Sequence, residues 1–142
     1  MNKPLSEIVI GEFDSARKTL HITAREKVTA KNSRELDELC NAVRTLLKQY
    51  SRDERIYMVV DLSKIIIEPH LSEEYAKKVK SLYENFLVPG GLLRYGLQIT
   101  RITIKLGHDT SLNSDTSLFR SKEAAFAHID KLIAQKASPA KI

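Results

Sequence analysis

An acid, two hydroxyls and an imidazole, Asp61, Ser63, His70 and Ser72, fall within one stretch, MVVDLSKIIIEPHLSEEY at residues 58–75. Groups of these types can carry acid–base catalysis, offer a serine to a kinase, or close a turn. Acid–base work needs a pKa displaced by burial or by a close like charge in a dry pocket. The carboxylate pairs of the chain, Asp53-Glu54 and Glu73-Glu74, have charged neighbours and the spacing of solvated turns and helix starts. Asp61 alone closes an apolar run, where satisfying the backbone of the next loop explains it more simply than catalysis. The carboxyl ends of parallel strands are nonetheless where open α/β sheets gather ligands. Asp61, Ser63, His70 and Ser72 are therefore the expected rim of any partner or ligand site.

Other chemistries find little footing. His21, His70, His108 and His128 lie on separate segments, with no HxH, HxxxH or cysteine partner at metal-ligand spacing. Gly90-Gly91 and Gly96 precede a strand instead of opening a helix, the reverse of a phosphate cradle. There is no GxSxG elbow and no kinase or dinucleotide fingerprint. The single cysteine, Cys40, sits on the apolar stripe of a helix and is expected as a small buried hydrophobe. We expect no enzyme, no metal and no cofactor.

Length and composition bound the rest. The chain has 142 residues, 42% hydrophobic and 29% charged, which suits one folded domain over residues 1–135 with a frayed tail at 136–142. A net charge of +5 and a pI near 9.3 permit anionic partners, but Lys and Arg are scattered and interleaved with acids. Nucleic acid is thus not the favoured partner. No apolar run is long enough for a membrane span, and the start MNKPLSEIVIGEF lacks a signal-like apolar region, so the cytoplasm is the expected compartment.

The elements that would position these residues follow from periodicity. IVIGEFD (8–14) and KTLHITA (18–24) flank a polar turn and read as a hairpin. From Asn32 to Tyr50 apolar residues recur at helical spacing, with Asn32 and Glu35 placed as in a capping box. IYMVVDL (56–62) is apolar on both faces and reads as a central strand. Ser72 is expected to cap a helix over 73–87, ended by Pro89-Gly90-Gly91. GLQITRITIKL (96–106) reads as a further strand, Leu118-Phe119-Arg120 as a short edge strand, and Ser121 caps a last helix burying Phe126, Ile129, Leu132 and Ile133. The fold class is α/β, bordering on α+β, with a four- to five-stranded mixed sheet. Three helices should crowd one face, leaving Thr19, His21, Thr23, Arg101, Thr103 and Lys105 on an open one.

A strand ending in VVDLS (59–63), followed by a short apolar connection and a helix, after an opening hairpin and an amphipathic helix, resembles the STAS domain of anti-sigma-factor antagonists and sulfate transporters. The likeness of element order runs over about residues 7–133. In the phosphorylated antagonists the resemblance implies an Asp-Ser-Ser-Gly segment whose serine a partner kinase modifies. Pro69-His70-Leu71-Ser72 stands in its place, so Ser72 is the nearest hydroxyl but the motif is absent. The resemblance thus points to a divergent, non-enzymatic bacterial-type module that regulates by binding a protein. A second reading is a carrier of a small apolar or anionic ligand, with Leu92, Leu93, Arg94 and Tyr95 in a flap over 90–96 and Arg94 meeting an acidic head group. A third is weak nucleic-acid binding through a basic face bearing Arg101 and Lys105, helped by Lys18 and Arg94. A polar open face would equally pair two copies into a homodimer.

Overall fold

The computed structural model describes residues 5–52, 54–96, 117–119 and 121–136. A single helical turn, α1 (Leu5–Ile8), leads into β1 (Val9–Asp14), which returns as the antiparallel β2 (Thr19–Ala24). The Asp14 carboxylate accepts from the Arg17 backbone N–H at 3.1 Å, and Lys18 takes a positive φ of 51° to complete the turn. A short β3 (Val28–Ala30) precedes α2 (Ser33–Tyr50). The expected cap is present: Asn32 accepts from the Glu35 N–H at 2.9 Å, while the Glu35 carboxylate accepts from the Lys31 N–H at 2.8 Å. This is a capping box whose return bond lands one residue upstream of the cap.

Next come β4 (Ile56–Asp61), β5 (Ile65–Ile67), a 3-10 turn (Pro69–Leu71) and α3 (Ser72–Asn85). β6 (Leu87–Tyr95), β7 (Ser117–Phe119) and α4 (Lys122–Lys136) complete the described chain. The main sheet runs β1-β2-β4-β6-β7, with every pair after the first hairpin parallel. β4 is therefore central, as its two apolar faces require, and among the described residues β7 is the short edge strand. β3 and β5 form a separate two-stranded parallel sheet. The α/β class and the mixed sheet agree with the sequence reading; the strand expected at 96–106 lies, beyond Gly96, outside the described residues, as does most of the tail.

Two expectations are corrected. Pro89-Gly90-Gly91 does not separate helix from strand, because β6 begins at Leu87 and carries these residues inside it. Between the pairs Ile56↔Leu87 and Met58↔Leu92 the chain advances two residues on β4 and five on β6, so Val88–Gly91 form a wide bulge. Gly90 takes a φ of 71°, and Pro89 faces solvent, which is how a strand accommodates both residue types.

The second correction concerns the open face. One face of the sheet buries Leu20, Ile22, Ile56, Met58 and Leu92 under Leu36, Leu39 and Leu47 of α2 and Val79 and Leu82 of α3. The other buries Tyr57, Val59, Val88 and Leu93 under Ala125 and Ile129 of α4. Thr19 and His21 are buried there, not solvated, and Thr23 is partly so. Arg17 fixes α4 in place: its guanidinium donates to Asp14 at 2.9 Å and to Asp130 at 2.8 Å, and stands 5.1 Å from the Phe126 ring. A helix at the far end of the chain thus covers the face, an arrangement no local pattern announces.

Candidate functional site

The strand-to-helix rim is built by Asp61. Its carboxylate accepts from the Ser63 N–H at 2.9 Å, an Asx turn that takes the chain out of the sheet. The Leu62 N–H donates to the Tyr95 carbonyl at 2.8 Å, the last rung between β4 and β6. The isoleucine run then pairs as β5 with β3, bracketed by Val28 N–H to Lys64 carbonyl at 2.7 Å and Glu68 N–H to Ala30 carbonyl at 3.0 Å. Ser63, Lys64, Pro69 and His70 are exposed on this frame, and Asp61 is half-buried.

Ser72 departs from its expected role. It is buried, and the cap position of α3 falls on Leu71, with no side-chain cap bond. The reason is that the 3-10 turn runs straight into α3, so the Ser72 N–H already donates to the Pro69 carbonyl. A kinase would reach Ser72 only after the start of α3 opened. Of the expected rim, Asp61 and Ser63 are joined by a hydrogen bond, His70 stands on the surface of the following turn, and Ser72 lies behind it.

A second polar group, not anticipated as such, lies under α4. The Tyr95 hydroxyl and His21 Nε2 are 2.5 Å apart, and the imidazole is stacked on the Tyr95 ring with the Phe126 edge against it. Burial, together with the adjacent Lys122 charge, lowers the His21 pKa from its usual 6.5, although Glu12 and Asp61 oppose this. Burial, then the negative Asp61 and Glu123, push the Tyr95 phenol up to about 12. A neutral phenol and a neutral imidazole therefore share this hydrogen bond. The alternation of β2 places His21 on the correct face; what the sequence hides is the helix that dries it.

This pair makes stability acid-sensitive. Because the folded protein holds His21 neutral below its ordinary pKa, the associated stability is whole above pH 6.5 and is lost as pH falls through the lowered value. The expected result is a fall in urea midpoint between pH 7 and pH 5 that His21→Gln, neutral throughout and still able to hydrogen-bond Tyr95, reduces. Equal slopes for the two proteins would remove His21 as the source.

The segment expected as a flap is instead buried strand. Leu92, Leu93 and Arg94 are 2%, 0% and 3% exposed, and only Tyr95 is partly accessible. Their hydrophobicity, unusual for a turn, is that of a strand flanked by β4 and β7. Below Leu92 an apolar cavity of about 60 Å³ is lined by side chains that include Cys40, Met58, Val60, Ile65 and Tyr75. Burial pushes the Cys40 thiol up to about 11, which makes it a wall of the cavity and not a nucleophile at neutral pH. The proposed basic-face residues Arg101 and Lys105 lie outside the described residues. Among the described residues no cluster of three or more His, Cys, Asp or Glu could hold a metal ion, and no helix is long and apolar enough to cross a membrane.

No protein-family model matches the chain, and no curated protein matches its sequence.

Proposed function

We propose that this chain is a non-enzymatic, STAS-like regulatory module that docks a protein partner on the connection between β4 and α3. The observation that carries the reading is the way this connection is held. Ser63, Lys64, Pro69 and His70 are exposed, yet their backbone is fixed by the Asp61 turn and by the β3–β5 ladder. A surface that is exposed and already ordered loses little conformational freedom on binding.

The groups best suited to chemistry are committed elsewhere. The Asp61 carboxylate closes its turn, His21 is buried against Tyr95, and the Cys40 thiol is kept protonated. The order hairpin, α2, β4 and α3, with Val59-Val60-Asp61 ending the central strand, is the order on which the resemblance rests.

The test is affinity capture from the cells of origin with three baits: the native protein, a Ser63→Arg/His70→Glu variant, and a Glu38→Lys control on the exposed side of α2. A stoichiometric protein held by the native and control baits and reduced at least tenfold on the rim variant is the expected result. Capture of nothing stoichiometric, or equal capture by all three baits, would overturn the reading.

A further inference from the structure

Arg94 is a buried cation at the carboxyl end of β6, and neither its Nε nor its Nη2 has a hydrogen-bond partner among the described residues. Its Cζ lies 5.5 Å from the Tyr75 ring centroid, a contact that eases the charge but satisfies no N–H along the guanidinium edge. Buried guanidinium groups are ordinarily paired, since a charge taken out of water without a partner is strongly unfavourable. The two nitrogens left over are also the informative pair. Nε and Nη2 present their N–H bonds side by side along one edge of the planar group, the fork that matches the two oxygens of a carboxylate.

Arg94 does not itself line the apolar cavity below Leu92, but the Tyr75 ring that faces its guanidinium does. Val60, the cross-strand neighbour of Arg94, Leu92, two residues earlier on the same face, and Tyr75 all line the 60 Å³ cavity. One water needs roughly 10–15 Å³ by this measure, so the space equals a few waters, the bulk of a short alkyl chain. An apolar cavity of this kind stays dry and accepts apolar groups.

We propose that Arg94 seats the carboxylate of a short-chain aliphatic monocarboxylic acid, with its tail in the cavity beneath Leu92. The charge meets its counterion at the fork, and the methylenes replace empty space against Cys40, Ile65 and Val60. The cavity lies beneath the β4–α3 connection, whose Leu62, Ile65 and Ile67 line it, but the assignment rests on Arg94 and does not depend on a partner docking at the rim.

Thermal unfolding of the whole chain with butanoate, hexanoate, decanoate, 1-hexanol or inorganic phosphate tests it. Butanoate or hexanoate is expected to raise Tm by about 3–5 °C at tenfold its Kd, whereas hexanol lacks the anion, phosphate lacks the tail and decanoate exceeds the space. Arg94→Met should raise the Tm of the ligand-free protein, since an apolar isostere relieves the unpaired charge, and should abolish the response to acid. Cys40→Leu, which fills the cavity and leaves the charge, should lose hexanoate as well. If either variant fails to fold, carbon-13 NMR of labelled butanoate with the native chain decides by itself, line broadening at millimolar acid being the expected sign. No shift and no broadening with the short acids, equal shifts with hexanol or phosphate, or an undiminished response in Arg94→Met would overturn the assignment.

Discussion

Ile129→Ala is expected to destabilise the protein by about 2–5 kcal/mol, measured by urea denaturation at neutral pH. Ile129 is fully buried, and with Ala125 it forms the part of α4 that seals Tyr57, Val59, Val88 and Leu93. Truncation removes most of a branched side chain from water-free packing and leaves a void that the flanking strand cannot readily fill. The neighbouring exposed position gives the control: Lys131→Ala should change stability by less than about 0.5 kcal/mol. Near-equal values for the two substitutions would mean that α4 does not cover this face. Loss of the α4 seal should also wet His21 and so weaken the acid dependence that its burial creates.

Gly96→Ala is expected to cost about 2–3 kcal/mol, from left-handed strain together with a lost turn hydrogen bond. Gly96 takes a φ of 74°, where a side chain is strained whatever the space around it. Space is lacking too. A Cβ there would lie 2.5 Å from the Asp61 carboxylate and 3.2 Å from the Ser63 backbone nitrogen, the two atoms that make the rim's turn. The substitution should therefore damage the turn and the end of β6 together. In an Asp61→Ala background, where the obstructing oxygen is gone, the same change should cost less by about 1 kcal/mol. A cost below about 0.5 kcal/mol in the native background would overturn the left-handed conformation of Gly96, and an equal cost in the Asp61→Ala background would show that Asp61 is not the obstruction.

The sequence disclosed what local periodicity controls. The alternation of Leu20, Ile22 and Ala24 against His21 and Thr23, the helical stripe from Leu36 to Tyr50, and the doubly apolar IYMVVD all matched the elements they form. It misled where long-range packing decides. Pro89-Gly90-Gly91 is ordinary turn material, and only pairing with β4 at Leu87 before it and Leu92 after it turns it into a bulge within a strand. The isoleucines at 65–67 lack an alternating pattern because β5 is only three residues long and pairs with an equally short β3.

The site was legible in part for the same reason. Asp61 at a strand end signals a turn, so its part in closing the next loop could be read directly. Ser72 looked like a cap because serine before two glutamates usually is one, yet the preceding 3-10 turn supplied the carbonyl instead. Arg94 was legible as a cation able to meet an acidic head group, but on a mobile flap and not in a buried strand. Its unpaired fork, and the Tyr75 ring beneath it, depend on β6 and α3 meeting across the sheet.

The β3–β5 ladder has a mechanical consequence. It stitches the loop that enters α2 to the loop that leaves β4, so neither can be displaced alone. A load applied at Lys64 passes through Val28 and Ala30 to the first turn of α2, where Lys31 is hydrogen-bonded to Glu35. The brace makes the amino end of that long helix a lever for whatever presses on the opposite loop.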